Sequence, residues 1–163
     1  KNAKKIMSKT KCDALKLEGG KKIYEIIKNL VKNNIPVMGH LGLLPQSAKN
    51  FKFKGKKINE REKILKEAKL LETAGVFSMV LECIESSLAK AITKQIKVPT
   101  IGIGASNNCD GQILVLDDLI GLNPINVRFV KKYINIRKAI SKAVSVYARE
   151  VRSKKFPLKK HSY

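Results

Sequence analysis

Tryptophan is absent from this 163-residue chain, histidine occurs twice and cysteine three times. Cys12, Cys83 and Cys109 are well separated and odd in number, so they do not make a disulfide framework. They include no CxxC pair, and with only His40 and His161 beside them no zinc site of the usual spacings can be assembled. That pattern is expected of a reduced, cytoplasmic protein. No apolar run approaches the roughly 20 residues a membrane helix needs. The start, Lys1-Asn2-Ala3-Lys4-Lys5, has no initiator Met and no apolar stretch behind it. It is neither a signal peptide nor an obvious start of translation, and it reads as the interior of a longer chain.

Acidic residues and arginine are also scarce. Thirteen Asp+Glu stand against 34 Lys+Arg, a net charge of +21, yet the arginines are only Arg61, Arg128, Arg137, Arg149 and Arg152. A nucleic-acid-binding module would explain the charge, but base and phosphate readers lean on the bidentate fork of arginine. The lysines are spread along the chain on the polar faces of helical segments, which is the pattern of a solvated surface. Weak, non-selective affinity for polyanions is expected, and no specific nucleic-acid partner.

What remains is globular: 44% hydrophobic, 29% charged, 10 Gly and 5 Pro, enough for one domain with a sizeable core. Short apolar runs alternate with helical patterns. Ala14–Leu17 is a strand candidate closed by Glu18-Gly19-Gly20. Ile23, Ile26, Ile27, Leu30 and Val31 then recur at helical spacing. Pro36 opens a strand over Val37-Met38-Gly39. A helix begins near Asn59-Glu60, with Ile64, Leu65, Ala68 and Leu71 on one stripe and Gly75 as its C-terminal stop. Val76–Leu81 is the strongest strand. A helix capped by Ser86 or Ser87 runs through Ile96, Thr100–Gly104 and Gln112–Leu116 read as strands, and the pattern is helical from Val127 until just before Phe156-Pro157. Alternation with short connections predicts a parallel sheet covered by helices. Five near-continuous apolar strands suit either an open doubly wound sheet or part of a (β/α)₈ barrel.

In either architecture chemistry sits at the C-terminal strand ends. Alternation puts Lys16 and Glu18 on one strand face, where an ammonium and a carboxylate could hold a divalent cation and an anionic substrate; a surface ion pair is the plainer alternative. His40, just past the second strand between Gly39 and Gly42, is placed to hydrogen-bond a substrate or shuttle a proton, or serves structure alone. Glu82 ends the most apolar strand, so desolvation should raise its pKa towards that of a useful base, unless it merely caps a backbone amide. Gly102-Ile103-Gly104-Ala105-Ser106 lacks the Lys-Ser/Thr of a Walker loop and does not open directly into a helix, so it marks close backbone approach and not a nucleotide site.

Five strings together carry a resemblance: KLEGG (16–20), PVMGHLGLLPQS (36–47), VLECI (80–84), PTIGIGA with CDGQILVLDDLIGL (99–122), and the terminal FPLKKHSY. In this order the chain resembles the ketopantoate hydroxymethyltransferase family over nearly its whole length. The resemblance implies a TIM barrel, (β/α)₈, of which this chain forms roughly the last five β/α units as a single partial domain. It implies Mg²⁺, 5,10-methylenetetrahydrofolate as co-substrate, and condensation with 3-methyl-2-oxobutanoate through a metal-stabilised enolate to 2-dehydropantoate, in cytoplasmic pantothenate biosynthesis. Small molecules and further copies of the chain, in a homo-oligomer such as a decamer, are the implied partners. By motif, Glu18 is a magnesium ligand, Lys16 and His40 contact substrate, and Glu82 is the base. The family's other two metal-binding aspartates lie on strands upstream of Lys1, so the fragment alone is expected to be inactive and prone to aggregate. Three departures stand out: a shortened loop after Ser47 without a Gly-Gly pair, Lys56 where Arg is usual, and Ser106 in place of the glycine after GIGA. A related barrel enzyme acting on another 2-oxo acid is the remaining alternative, and the PQS and CDGQ segments speak against it.

Overall fold

The computed structural model describes residues 1–46 and 52–163; the shortened loop after Ser47 falls mostly on residues outside that set. The chain divides into two compact units, Lys1–Ile113 and Leu114–Tyr163.

The first unit opens with a helix that the alternation did not anticipate, α1 (Asn2–Thr10), none of whose residues is buried. Strand β1 (Leu15–Glu18) follows, then helix α2 (Tyr24–Lys32), β2 (Val37–Gly42), α3 (Ile58–Thr73), β3 (Ser78–Glu82), α4 (Ser86–Gln95), β4 (Thr100–Ile103) and a short β5 (Gly111–Gln112). All four strand pairings are parallel, and the sheet runs β1-β2-β3-β4-β5. Each strand lies beside its predecessor with no reversal. That is the order within a (β/α)₈ barrel, whereas a doubly wound sheet reverses at a switch point. The sheet is not closed.

The register separates the two faces. Val37 and Leu41 of β2 point with Met79 and Leu81 of β3 into a core shared with Ile27 of α2, Ile64, Ala68 and Leu71 of α3, and Leu88, Ala89 and Ile92 of α4. Leu81, Leu88 and Ile92 are completely buried, each contributing about 1.5–3 kcal/mol by leaving water. Period-2 alternation therefore turns Lys16, Glu18, His40 and Glu82 to the opposite face. The helix stripe read from sequence is the stripe that packs, and Gly75, with φ +93°, follows the end of α3 as expected.

Three local expectations are corrected. Glu85, and neither Ser86 nor Ser87, caps α4: its carboxylate accepts hydrogen bonds from the Ser87 and Leu88 amides at 3.1 and 3.0 Å and from the Ser87 hydroxyl at 2.6 Å. These bonds, with Arg61 at 2.9 Å, hold its pKa down at about 2. A carboxyl whose folded pKa is depressed adds stability above its unfolded pKa and loses it as pH falls towards the folded value. Glu85→Gln should thus cost about 1 kcal/mol at pH 7, typical of a cap, and the gap to the unmodified protein should narrow from pH 5 to pH 2 in thermal melts.

The second correction is at β5, which is two residues long, and the residues after it form a helical turn, α5 (Leu116–Leu119), not strand. No helix separates β4 from β5; side chains tie the connecting loop. Asp110 accepts from the Thr100 amide (2.8 Å) and hydroxyl (3.0 Å), and Gln112 donates its amide to the Ser106 carbonyl at 2.7 Å. The CDGQ string is therefore the clasp of this loop. Ser106 is buried within it, its hydroxyl accepting from the Asn108 amide at 3.1 Å.

In the second unit the stretch from Val127 is not helical until Ile136, the third correction. Asn135 caps α6 (Ile136–Arg152) by accepting from the Lys138 amide, and the Leu119 and Ile120 carbonyls take the Tyr133 and Ile136 amides. α5 is thereby tied to the segment leading into α6. Among the described residues no helix is long and apolar enough to cross a membrane.

Candidate functional site

Three strands deliver the candidate residues to one end of the sheet face opposite the helix-packed core. Glu18 is the last residue of β1 and pairs in register with His40 of β2; Glu82, the last of β3, pairs with Gly42. His40 is within β2 and not in a loop after it, because the strand continues three residues past Gly39 between its two neighbours. The imidazole is fully buried while the Glu18 and Glu82 side chains are each 14% exposed, so all three sit under partial cover.

His40 Nε2 is 2.9 Å from the Leu43 carbonyl oxygen, which can only accept, so Nε2 carries the proton. Nε2 also lies 3.4 Å from Glu82 Oε2. Nδ1 then bears a lone pair; it is buried without a hydrogen-bond partner among the described residues and faces Glu18 Oε1 at 4.0 Å. Burial, and next the Lys16 charge, push the histidine pKa down, against Glu18 and the Leu43 carbonyl. The ring is neutral near pH 7, and its two carboxylate contacts are not ion pairs.

Burial raises the Glu82 pKa, Lys16 opposes the rise and Glu18 adds to it. This is the direction expected of a carboxylate at the end of an apolar strand. Lys16 itself is exposed, yet its charge reaches both His40 and Glu82. All four residues singled out in the sequence thus converge.

Backbone geometry makes room for them. Gly42 has φ +100°, and a Cβ there would lie 2.1 Å from the Glu82 carbonyl oxygen. The Leu43 amide donates to that same oxygen at 2.8 Å. Cys83 takes the left-handed φ of 48°, its amide bonded to Ile103 O and its carbonyl to Lys54 N. Glu82 is therefore pinned from both neighbouring strands.

Comparison with known proteins settles the family. A family model described as ketopantoate hydroxymethyltransferase matches residues 1–159. The chain belongs to the ketopantoate hydroxymethyltransferase family. It is 71% identical over 162 residues to the 3-methyl-2-oxobutanoate hydroxymethyltransferase of Pelagibacter ubique (strain HTCC1062), covering 99% of this chain and 63% of that protein. Proteins of the same name from Anaplasma marginale (strain Florida) and Chlorobaculum parvum (strain DSM 263 / NCIMB 8327) are 48% and 46% identical, over all of this chain and 60% of each. The chain thus spans about three-fifths of the length of these curated relatives.

The family resemblance implies Mg²⁺, and the side chains at this site bear on its fit. Among the described residues no group of three His, Cys, Asp or Glu side chains is placed to hold a metal ion. Mg²⁺, however, commonly takes only one or two protein carboxylates and completes its shell with water and substrate oxygens. Glu18 supplies one such oxygen donor. The orphaned Nδ1 lone pair facing that carboxylate calls for a cation or a hydrogen-bond donor between them, so the residues present fit one side of such a site.

What the sequence did not single out is a cleft of about 530 Å³ that begins at Glu18 and Gly42 and has Lys22, Lys54 and Lys63 on its rim. Among 34 basic residues nothing in local pattern marks these three. Their shared rim arises only when the loop after β1, the residues after β2 and the helix α3 come together.

Proposed function

We propose that the full-length protein containing this chain transfers a hydroxymethyl group from 5,10-methylenetetrahydrofolate to 3-methyl-2-oxobutanoate, giving 2-dehydropantoate for pantothenate synthesis. The observation that carries this reading is a carboxylate of raised pKa, Glu82, sharing one sheet face with the Lys16 ammonium and the Glu18 carboxylate. A base tuned upward, beside a positive charge, suits proton removal next to a carbonyl.

Glu82 accepts the C3 proton of the oxo acid. Lys16 offsets the negative charge that then develops on the substrate's oxygens. His40 holds Nε2–H beside Glu82, and its Nδ1 lone pair can accept from the new hydroxyl group of the product. Glu18 would hold Mg²⁺ on this chain, and the metal would supply the Lewis acidity that makes the C3 proton easier to remove. C3 bonds to the folate's methylene carbon, whose bonds to N5 and N10 both break. Water supplies the hydroxyl oxygen, and the C3 proton and the second proton of water end on the two nitrogens of the released tetrahydrofolate. The same reading makes the protein a cytoplasmic homo-oligomer, a decameric ring by family resemblance.

Incubating the full-length protein with 3-methyl-2-oxobutanoate in D₂O, without folate, isolates the first step. Proton NMR should record loss of the C3 signal, dependent on Mg²⁺, and 2-dehydropantoate should form once the folate is added. Absence of exchange at any Mg²⁺ concentration refutes the proposal. Glu18→Gln should raise the Mg²⁺ requirement at least about tenfold and weaken oxo-acid binding with it, as read by titrating each ligand against the exchange rate.

A further inference from the structure

The cleft beside the candidate site has an apolar floor and a basic rim. Its floor is built from Ile23, Leu41, Leu43, Leu44 and Ile64, of which Leu41, Leu43 and Ile64 are themselves buried. A volume of about 530 Å³ lies within the range of small-molecule sites.

The rim carboxylates are already committed. Glu60 accepts from the Gly55 amide at 2.8 Å and meets the Lys54 ammonium at 3.8 Å. Glu67 accepts from the Lys21 amide at 3.2 Å. It lies so close over Gly20 that a Cβ there would be 2.2 Å from its carboxyl carbon. Lys22 and Lys63, in contrast, meet no carboxylate within ion-pair distance among the described residues. A ligand lying on the floor with one end at Glu18 would present its far groups to two uncommitted ammonium groups.

We propose that this cleft binds the aryl-carboxylate tail of the one-carbon donor, its ring on the leucine floor and its carboxylates on Lys22 and Lys63. The assignment rests on the reaction proposed above and adds the place where the donor's tail docks. An apolar body gives affinity, and the ammonium pair selects for negative charge at the tail, so each further glutamate on a polyglutamyl tail strengthens binding.

Calorimetry on the full-length protein with p-aminobenzoyl-glutamate and p-aminobenzoyl-triglutamate tests this. The triglutamate should bind more tightly. Lys22→Gln/Lys63→Gln should lose affinity about tenfold, roughly threefold for each solvent-facing ionic contact, and show a flatter dependence on salt. Lys32→Gln/Lys90→Gln removes the same charge at exposed positions on α2 and α4 and should change affinity less than about twofold. Equal loss in both pairs would mean that the overall charge of +21 attracts the tail, and it would overturn the cleft assignment. Unaltered affinity in the Lys22/Lys63 pair, or no binding by the unmodified protein, would do the same. C3 exchange in the unmodified protein needs no tail: if it proceeds while the lysine pair has no effect, only the cleft assignment fails. If exchange is absent, the reaction reading fails and takes this one with it.

Discussion

Glu82→Gln in the full-length protein should lower turnover by roughly 10²–10⁴, the usual contribution of a positioned general base, while oxo-acid and metal binding stay near their original strength. The amide is isosteric with the carboxylate, and Glu82 is not assigned as a metal ligand. Deuterium exchange at C3, followed without folate, reads the step directly and should fall by the same factor. The pH profile supplies a second reading. Burial raises the Glu82 pKa, and a base works only when ionised. The rate should therefore rise with pH through a midpoint above the usual carboxylate range, and this limb should vanish in the variant. Exchange at the normal rate in Glu82→Gln would transfer the role of base elsewhere, with His40 the next candidate.

Gly42→Ala should be the most damaging small change in the sheet. The position has φ +100°, where an L side chain is strained, and the added Cβ would lie 2.1 Å from the Glu82 carbonyl oxygen and 2.7 Å from Ile84 Cγ1. Backbone of β3 cannot yield without stretching the 2.8 Å bond between the Leu43 amide and Glu82. The expected cost is about 2–4 kcal/mol, from positive-φ strain added to a backbone clash. Gly39→Ala is the comparison, since its Cβ would come no closer than 3.2 Å, to the tip of the Leu71 side chain, which can rotate aside. Denaturant melts should place Gly39→Ala well above Gly42→Ala. Residual folded Gly42→Ala should also lose C3 exchange, because the clash displaces the base itself; exchange preserved alongside a normal melt would refute the account.

The sheet and its helices were legible because both periods are written in the apolar residues. Ile64, Ala68 and Leu71 form the stripe that packs, and Leu81 alternates with Glu82 across the strand. Legibility stopped where side chains compete with local propensity. Glu85 displaced two serines as the cap because its longer side chain reaches two amides and a hydroxyl at once. The β-prone run Gln112–Leu116 adds only its first residue to a two-residue strand: the Ile113 amide still donates to the Gly102 carbonyl at 3.0 Å, and the chain turns into α5 at Leu116.

The sequence by itself determined the family, the order of the elements from β1 to β4, and the places of Lys16, Glu18, His40 and Glu82 in and near strand ends, since strand-end position and motif are local properties of the chain. Tertiary structure decided what those residues are to one another. Bringing β1, β2 and β3 into register buried His40 against the Leu43 carbonyl, so the proton went to Nε2 and a lone pair was left facing Glu18. The same packing removed water from Glu82 and raised its pKa, and it drew Lys22, Lys54 and Lys63 onto one rim. Tautomer, desolvation and shared surface depend on distances between residues remote in the chain, which no local pattern of apolar and polar residues encodes.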